Sequence, residues 1–517
     1  MNYSRRTFLT TASAFSVGLG AGCASAFENA LTSSDLVKRK NVLFLAIDDL
    51  RPTLGVDGDK LVKTPNIDRF AERGLVFERA YVQQAVCGAS RASLLTGLRP
   101  DSTGIHDYFG RVSEYVPDAV TLNEQFTRSG YKSVAIGKVY HELGDNPEGW
   151  SERHYDTIEY QRGRRKQSAS VDGYLSLVFS DSKPGVQGRL PMPYEAPDVG
   201  ESAYPDGQNT IFAMQEMARF NQLGVPFFIG LGLRKPHLPF FAPKKYWDLY
   251  YRSDFELPAS RTSPDGAPGY AKSNWEELRA YTGMPKGVDS MPDDEALSLI
   301  HGYHACISYM DANVGKVLNQ LDELGLTDNT IVVFWGYHGW KLGELGAWSK
   351  HTYFEFDVIV PLIFAGPCVS AGRCSAFVEA VDIYPTLMEM AGLAAPKNLE
   401  GMSFVPLLED PEQAWKPAAF SQYTRNGTEK GDLVGYSMKT EQFRYIVCVY
   451  KSDGQIVDGE LYDHAVDPNE TVNVIHQAQY QDDIIRLEAM RTHGWQGMQQ
   501  DIASTQTQST QNSFIQE

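Results

Sequence analysis

Cysteine is scarce: six in 517 residues, too few for a fold stapled by disulfides. Cationic side chains are in the minority as well. Lys and Arg number 47 against 65 Asp and Glu, giving a formal charge of −18 and a pI near 5.1. A chain of that balance does not attract polyanions as a whole, which argues against non-specific binding to nucleic acid or to anionic membranes. The sequence contains no internal repeat and no apolar run of the roughly 20 residues that a transmembrane helix needs. What is present is ordinary for a soluble globular protein: 42% hydrophobic, 22% charged and 12% aromatic. Collagen-like, coiled-coil and wholly disordered chains are excluded on that composition. The length suits one large domain with a smaller one, or a few medium domains, with a sizeable core.

The first 26 residues stand apart from the fold. Ser4-Arg5-Arg6-Thr7-Phe8-Leu9 resembles a twin-arginine export signal, a short apolar stretch follows from Phe15 to Gly22, and Ala24-Ser25-Ala26 is a small-x-small cleavage site. The expectation is export to the periplasm or beyond. A lipid anchor on Cys23 is the rival, but Gly20 stands where such anchors usually carry a large aliphatic residue.

Short apolar, β-branched runs alternate with helical patterns, the signature of an α/β fold. Strands are expected at 41–47, 132–136, 227–233, 330–335 and 360–365, a helix from Thr64-Pro65 to Arg73 with Gly74 as its stop, and a long helix over 294–324. Four of the strands run into polar strings: Asp48-Asp49, Gly137-Lys138-Val139-Tyr140-His141, Arg234-Lys235-Pro236-His237 and Gly336-Tyr337-His338-Gly339. Ligands of open α/β sheets bind beyond the carboxyl ends of strands, so these strings point to one crevice. Residues 151–208, with Arg162, Arg164, Arg165 and Lys166, read as an insertion loop. The main domain is expected to span 40–410 and a C-terminal subdomain with a small sheet and a closing helix 411–496. The Gln/Ser/Thr-rich segment 497–517 reads as disordered.

Cys87-Gly88-Ala89-Ser90-Arg91 opens a helical run that ends at Gly97. A cysteine at a helix N-terminus sits in positive potential, which favours a thiolate or a bound oxyanion. The longer string, Val86 to Gly97, resembles the signature of the type I sulfatases, in which a cysteine in a C-x-P/A-S-R context is oxidised to formylglycine. Further motifs carry the resemblance from about residue 40 to 475: Ile47-Asp48-Asp49-Leu50-Arg51-Pro52, Gly137-Lys138 with His141, Lys235-Pro236-His237, His338-Gly339-Trp340, Trp348-Ser349-Lys350, and Glu460-Leu461-Tyr462-Asp463 with Asp467-Pro468. Within the family the motifs are most similar to the iduronate-2-sulfatase-like branch.

The resemblance implies an alkaline-phosphatase-like mixed sheet flanked by helices, a C-terminal α+β subdomain, a sulfated carbohydrate as substrate and a sulfatase-maturating enzyme as partner. It implies that hydrated formylglycine at Cys87 attacks sulfur, that Arg91 holds the nucleophile, and that His141, aided by Lys138, is the base for release of sulfate. Lys138 and Lys350 would bind sulfate oxygens, and His237 would protonate the leaving alcohol. One calcium ion would be held by Asp48, Asp49, position 87 and His338. Tyr337 stands where the family carries aspartate, so its place in that ligand set is doubtful, with Glu344 a conceivable substitute. Arg51 and Arg444 are candidate substrate contacts. The competing functions are a phosphate or phosphonate ester hydrolase of the same superfamily and a non-catalytic binder of sulfated glycans. His301 and His304, claimed by no motif, read as packing; Cys306 and Cys448 read as core, and Cys368 and Cys374 are close enough to pair.

Overall fold

The structure is a computed structural model and describes residues 39–141, 145–152, 154–156, 192–272, 276–285 and 291–516. The export segment, Cys23, Arg162, Arg164, Arg165 and Lys166 lie outside these residues. Seven strands form one mixed sheet: β1 (Asn41–Ile47), β2 (Gly74–Tyr81), β3 (Lys132–Gly137), β4 (Phe227–Leu233), β5 (Thr330–Gly336), β6 (Ile359–Ala365) and β7 (Gly372–Glu379). Their order is β3-β4-β1-β5-β6-β2-β7. β1 pairs in parallel with β4 on one side and β5 on the other, and β3 extends the parallel set beyond β4. β6 runs against both of its neighbours.

An unbroken apolar run such as NVLFLAI suits a strand covered on both faces. Leu43, Leu45 and Ile47 point into one core, against Met217 and Phe220 of α2 (Pro205–Leu223) and Leu299 and Tyr303 of α3 (Asp293–Glu323). Val42, Phe44 and Ala46 point into the other, with Leu94 and Leu95 of α1 (Cys87–Thr96). His301 and His304 belong to this scaffold: their ring nitrogens meet the carbonyls of Trp247 and Ile300.

Strands β2 and β7 are additions to the sequence-based expectation. Gly74, read as a helix stop, is also the first residue of β2. Both strands mix buried and exposed positions, with bulges between them, so no clean period marks them. Cys368 and Cys374 are free thiols: Cys368 is exposed, whereas Cys374 is buried with its thiol on the Pro411 carbonyl. Cys306 and Cys448 are buried, as expected of core residues.

The C-terminal subdomain is a four-stranded antiparallel sheet, β8 (Ala418–Thr428), β9 (Gly431–Thr440), β10 (Phe443–Tyr450) and β11 (Ile456–Asp463), in sequential order. The closing helix, α4 (Gln481–Gln516), departs from helical geometry at Gly494, where φ is 71°. Residues 497–516, expected to be disordered, continue as helix. Two apolar side chains four residues apart explain the difference: Met498 is buried beside Leu487 and Met438, and Ile502 packs on the main domain.

Candidate active site

The parallel order β3-β4-β1-β5 brings the four polar strings to one edge of the sheet. Asp48 and Asp49 leave the end of β1 fully buried. At the end of β3 the chain turns through Gly137, φ 67°, where a Cβ would stand 2.3 Å from the Gly232 carbonyl oxygen. Only glycine fits that turn. It delivers Lys138, whose Nζ lies 2.6 Å from Asp48 Oδ2. β4 leads to His237 and β5 to His338. Cys87 is the first residue of α1, and Arg91, one turn on, places Nη2 3.0 Å from Asp48 Oδ1. Lys350 lies 3.0 Å from Asp49 Oδ1 and 3.5 Å from His237 Nε2.

Cys87 is 4% exposed, and its Sγ is 3.1 Å from His338 Nε2. Burial and the neighbouring Asp48 raise the thiol's pKa despite Lys350, Lys138 and Arg91. The unmodified residue is therefore a poor thiolate, contrary to what the helix N-terminus alone suggests. For Asp48, burial works against the charge, but Arg91 and Lys138 outweigh it and hold the carboxyl well below its usual range. Burial pushes Asp49 up to about 8, with Lys350 and His338 opposing. Burial, followed by Lys138 and Arg91, lowers His141 to about 2, while burial and Lys350 hold His237 well below the usual imidazole range. Both histidines are neutral in the free site. His237 Nδ1 faces the Leu238 carbonyl at 2.6 Å, so Nε2 is the atom turned toward Lys350 and Asp49.

Ligand atoms of Asp48, Asp49, Cys87 and His338 all lie within 4.8 Å of one another. Asp48 Oδ1 and Asp49 Oδ1 are buried and form ion pairs, yet neither accepts a hydrogen bond of good geometry. Convergent, under-coordinated carboxylate oxygens fit a hard divalent cation. The site would offer such an ion two carboxylates.

Tyr337 is not part of that group. Its hydroxyl donates to the Lys138 carbonyl at 2.5 Å, and its ring lies under the Arg91 guanidinium, 3.7 Å from centroid to Cζ. The aromatic side chain instead braces the Lys138 turn. Glu344 does not replace the missing carboxylate, since one oxygen pairs with Arg51 at 2.7 Å and the other accepts the Leu342 amide. Arg51, the first candidate substrate contact, is held by Glu344 and Thr53. Arg444 is no substrate contact: it is fully buried between Glu355, Glu470 and Ser437.

Sequence reasoning missed Glu277. Its carboxylate lies 3.2 Å from His237 Nε2 and 2.9 Å from Lys350 Nζ, and its side chain is 25% exposed. It sits on a four-residue helix, Glu276–Arg279, with no motif around it to signal its place.

The family model described as Sulfatase matches residues 40–393, and that of the C-terminal region of N-sulphoglucosamine sulphohydrolase matches 343–493. Human iduronate 2-sulfatase is 33% identical over 85% of this chain and 92% of its own. Among solved structures, one in complex with its substrate D-glucosamine-2-N,6-O-disulfate is 23% identical, covers 90% of this chain and 99% of its own, and gives a TM-score of 0.68. The phosphonate monoester hydrolase of Agrobacterium radiobacter is also 23% identical, covers 88% and 94%, and gives 0.69. These likenesses and the edge-of-sheet site agree, and the chain belongs to the sulfatase family of sulfuric ester hydrolases.

Proposed function

We propose that the enzyme hydrolyses sulfate esters of a carbohydrate through a formylglycine made from Cys87, and that a uronic acid 2-sulfate is its substrate. The observation that carries the reading is the convergence of Arg91, Lys138, Lys350, His141 and His237 around a buried Cys87 whose thiol is not poised to ionise. The named activity of the human relative supports the choice of sugar. An oxygen of the hydrated aldehyde forms the new bond to sulfur as the bond from sulfur to the sugar oxygen breaks. Once the negative charge of the bound sulfate ester opposes Lys350 and Lys138, His237 takes up a proton from solvent at Nε2 and gives it to that sugar oxygen. His141 then accepts the proton of the second hydroxyl as the aldehyde re-forms and sulfate leaves. Lys138, Lys350 and Arg91 offset the charge gathered on the transferring group. The anionic substrate also opposes Lys138, Lys350 and Arg91, which together with burial keep both histidines neutral in the free site. Calcium held by Asp48, Asp49, His338 and position 87 would add fixed positive charge beside the nucleophilic oxygen. Arg5-Arg6 supports export by the twin-arginine route.

A phosphate or phosphonate monoester is the second reading, because Tyr337 leaves three cationic side chains facing two aspartates, a balance that also suits a dianion. Mass spectrometry of the Cys87 peptide, with turnover of 4-nitrophenyl sulfate, 4-nitrophenyl phosphate and a panel of sugar sulfates, tests both. The expectation is an aldehyde at position 87 and preference for sulfate. Full activity with an intact cysteine would end the formylglycine mechanism, and faster phosphate turnover would move the assignment to the second reading.

A further inference from the structure

Two large aromatic side chains are exposed in the loop beside His141: Tyr108 at 42% and Phe109 at 68%. Their rings touch, with centroids 4.3 Å apart, and the Tyr108 ring lies 5.8 Å from that of His141. Neither results from a loose loop. The Asp107 carboxylate accepts the amides of Phe109 and Gly110 at 2.8 and 3.0 Å, which fixes the turn. Ile105 is fully buried beneath it, and Gln84 Nε2 donates to the His106 carbonyl at 2.7 Å. The loop also lies directly on α1. A Cβ on Gly88 would stand 2.3 Å from the Asp107 carbonyl oxygen and 2.7 Å from Tyr108 Cα. Glycine beside the nucleophile is thus what lets this aromatic turn come so near.

Exposed aromatic surface is unfavourable in water and is commonly kept where something covers it. Its occupant follows from its position, since the Tyr108 ring lies against that of His141, a residue of the candidate active site. A substrate chain extending from the site past His141 would meet it. The exposed C–H face of a pyranose is the complement of an aromatic ring, and the backbone-fixed turn gives that ring little entropy to lose.

We propose that Tyr108 and Phe109 form a carbohydrate subsite for the uncharged ring face of the sugar next to the sulfated one, so that the enzyme prefers oligosaccharides to monosaccharides. The proposal rests on the carbohydrate-sulfatase reading and deepens it. The test uses the full-length enzyme and the sugar sulfate from the panel that it hydrolyses best, supplied as monosaccharide and as a tetrasaccharide ending in the same sulfated unit. 4-Nitrophenyl sulfate serves as the reference for chemistry alone. For the parent, kcat/KM is expected to favour the tetrasaccharide. Phe109→Ala should lower the tetrasaccharide-to-monosaccharide ratio by about three- to tenfold, mainly through KM, and Phe109→Tyr should restore it. Tyr108→Ala should act in the same direction. A ratio unchanged by Phe109→Ala, or a parent that favours neither substrate, overturns the subsite while leaving the sulfatase reading in place. A parent that cleaves 4-nitrophenyl sulfate but no sugar sulfate overturns the carbohydrate reading and the subsite together. A change in self-association on size-exclusion chromatography with kinetics unaltered would assign the aromatic pair to a protein contact and also overturn it.

Discussion

Around Cys87, an arginine, a histidine and two carboxylates meet: Arg91, His338, Asp48 and Asp49. Where β2 and β6 approach the C-terminal sheet, the same types meet again, as Arg444, His464, Glu355 and Glu470. The second cluster is saturated. Arg444 donates from Nε, Nη1 and Nη2 to Glu470, Ser437 and Glu355; Tyr81 donates to Glu355 at 2.8 Å, and His464 meets Glu470 at 2.9 Å. In the first, Arg91 Nε and one oxygen of each aspartate are buried without a hydrogen bond, as is Nδ1 of the nearby His141. A native interior leaves few polar atoms in that state, and an incoming reacting group or ion would satisfy those gathered here. Residue type does not separate a joint from a reaction site; the unfilled bonding capacity does.

Substitutions in the two clusters should separate chemistry from cohesion. Cys87→Ala is expected to abolish sulfatase turnover while leaving the thermal midpoint near that of the parent. Retention of turnover within about tenfold would remove position 87 from the chemistry. His237→Ala should cost about 10²–10⁴-fold on sugar sulfates and much less on 4-nitrophenyl sulfate, whose phenolate leaves without a proton. Equal losses on both substrates would take His237 out of the acid role. Arg444→Met should behave oppositely, lowering stability by about 3–5 kcal/mol in urea titration because two buried carboxylates lose their partner. The turnover of the molecules that remain folded should stay at the parent value.

The smallest expected change concerns the boundary between the two behaviours, at Tyr337. Tyr337→Asp should tighten calcium binding about tenfold by titration calorimetry, since ligand charge sets affinity. It should also lower the melting temperature, because the ring under Arg91 and the bond to Lys138 are lost. Tyr337→Phe keeps the ring and should leave calcium affinity unchanged at a stability cost of about 1–3 kcal/mol. If the parent binds one calcium tightly and Tyr337→Asp weakens it, the two-carboxylate site is the better-adapted one.

The strand ends were legible because each joins an apolar run to a polar string, a junction visible in one dimension. Asp48, Asp49, Lys138, His237 and His338 follow from it directly, and the structure brings them together. Strands β2 and β7 were not legible, since Glu78, Arg79 and Arg373 interrupt their apolar pattern where solvent reaches them. Arg444 was misplaced for a different reason. An arginine in a strand shows its charge but not its face, and its partner Glu355 is 89 residues away. The sequence showed that Tyr337 breaks the family pattern, yet not that its hydroxyl reaches the carbonyl of Lys138, 199 residues earlier. Glu277 depends on where a four-residue helix is set down, and no local signal encodes that.

The turn seated on Gly88 also governs timing. With Asp107 and Tyr108 against α1 and only 4% of Cys87 open to solvent, a second enzyme has no room to grip the chain around the sulfur once the domain has closed. The proposed oxidation of that cysteine would therefore belong to the interval between synthesis and folding. On that proposal two rates would compete for each molecule, and a chain that folds first would be sealed with its thiol inside. A faster-folding variant would thus yield a larger inert fraction from the same amount of soluble protein.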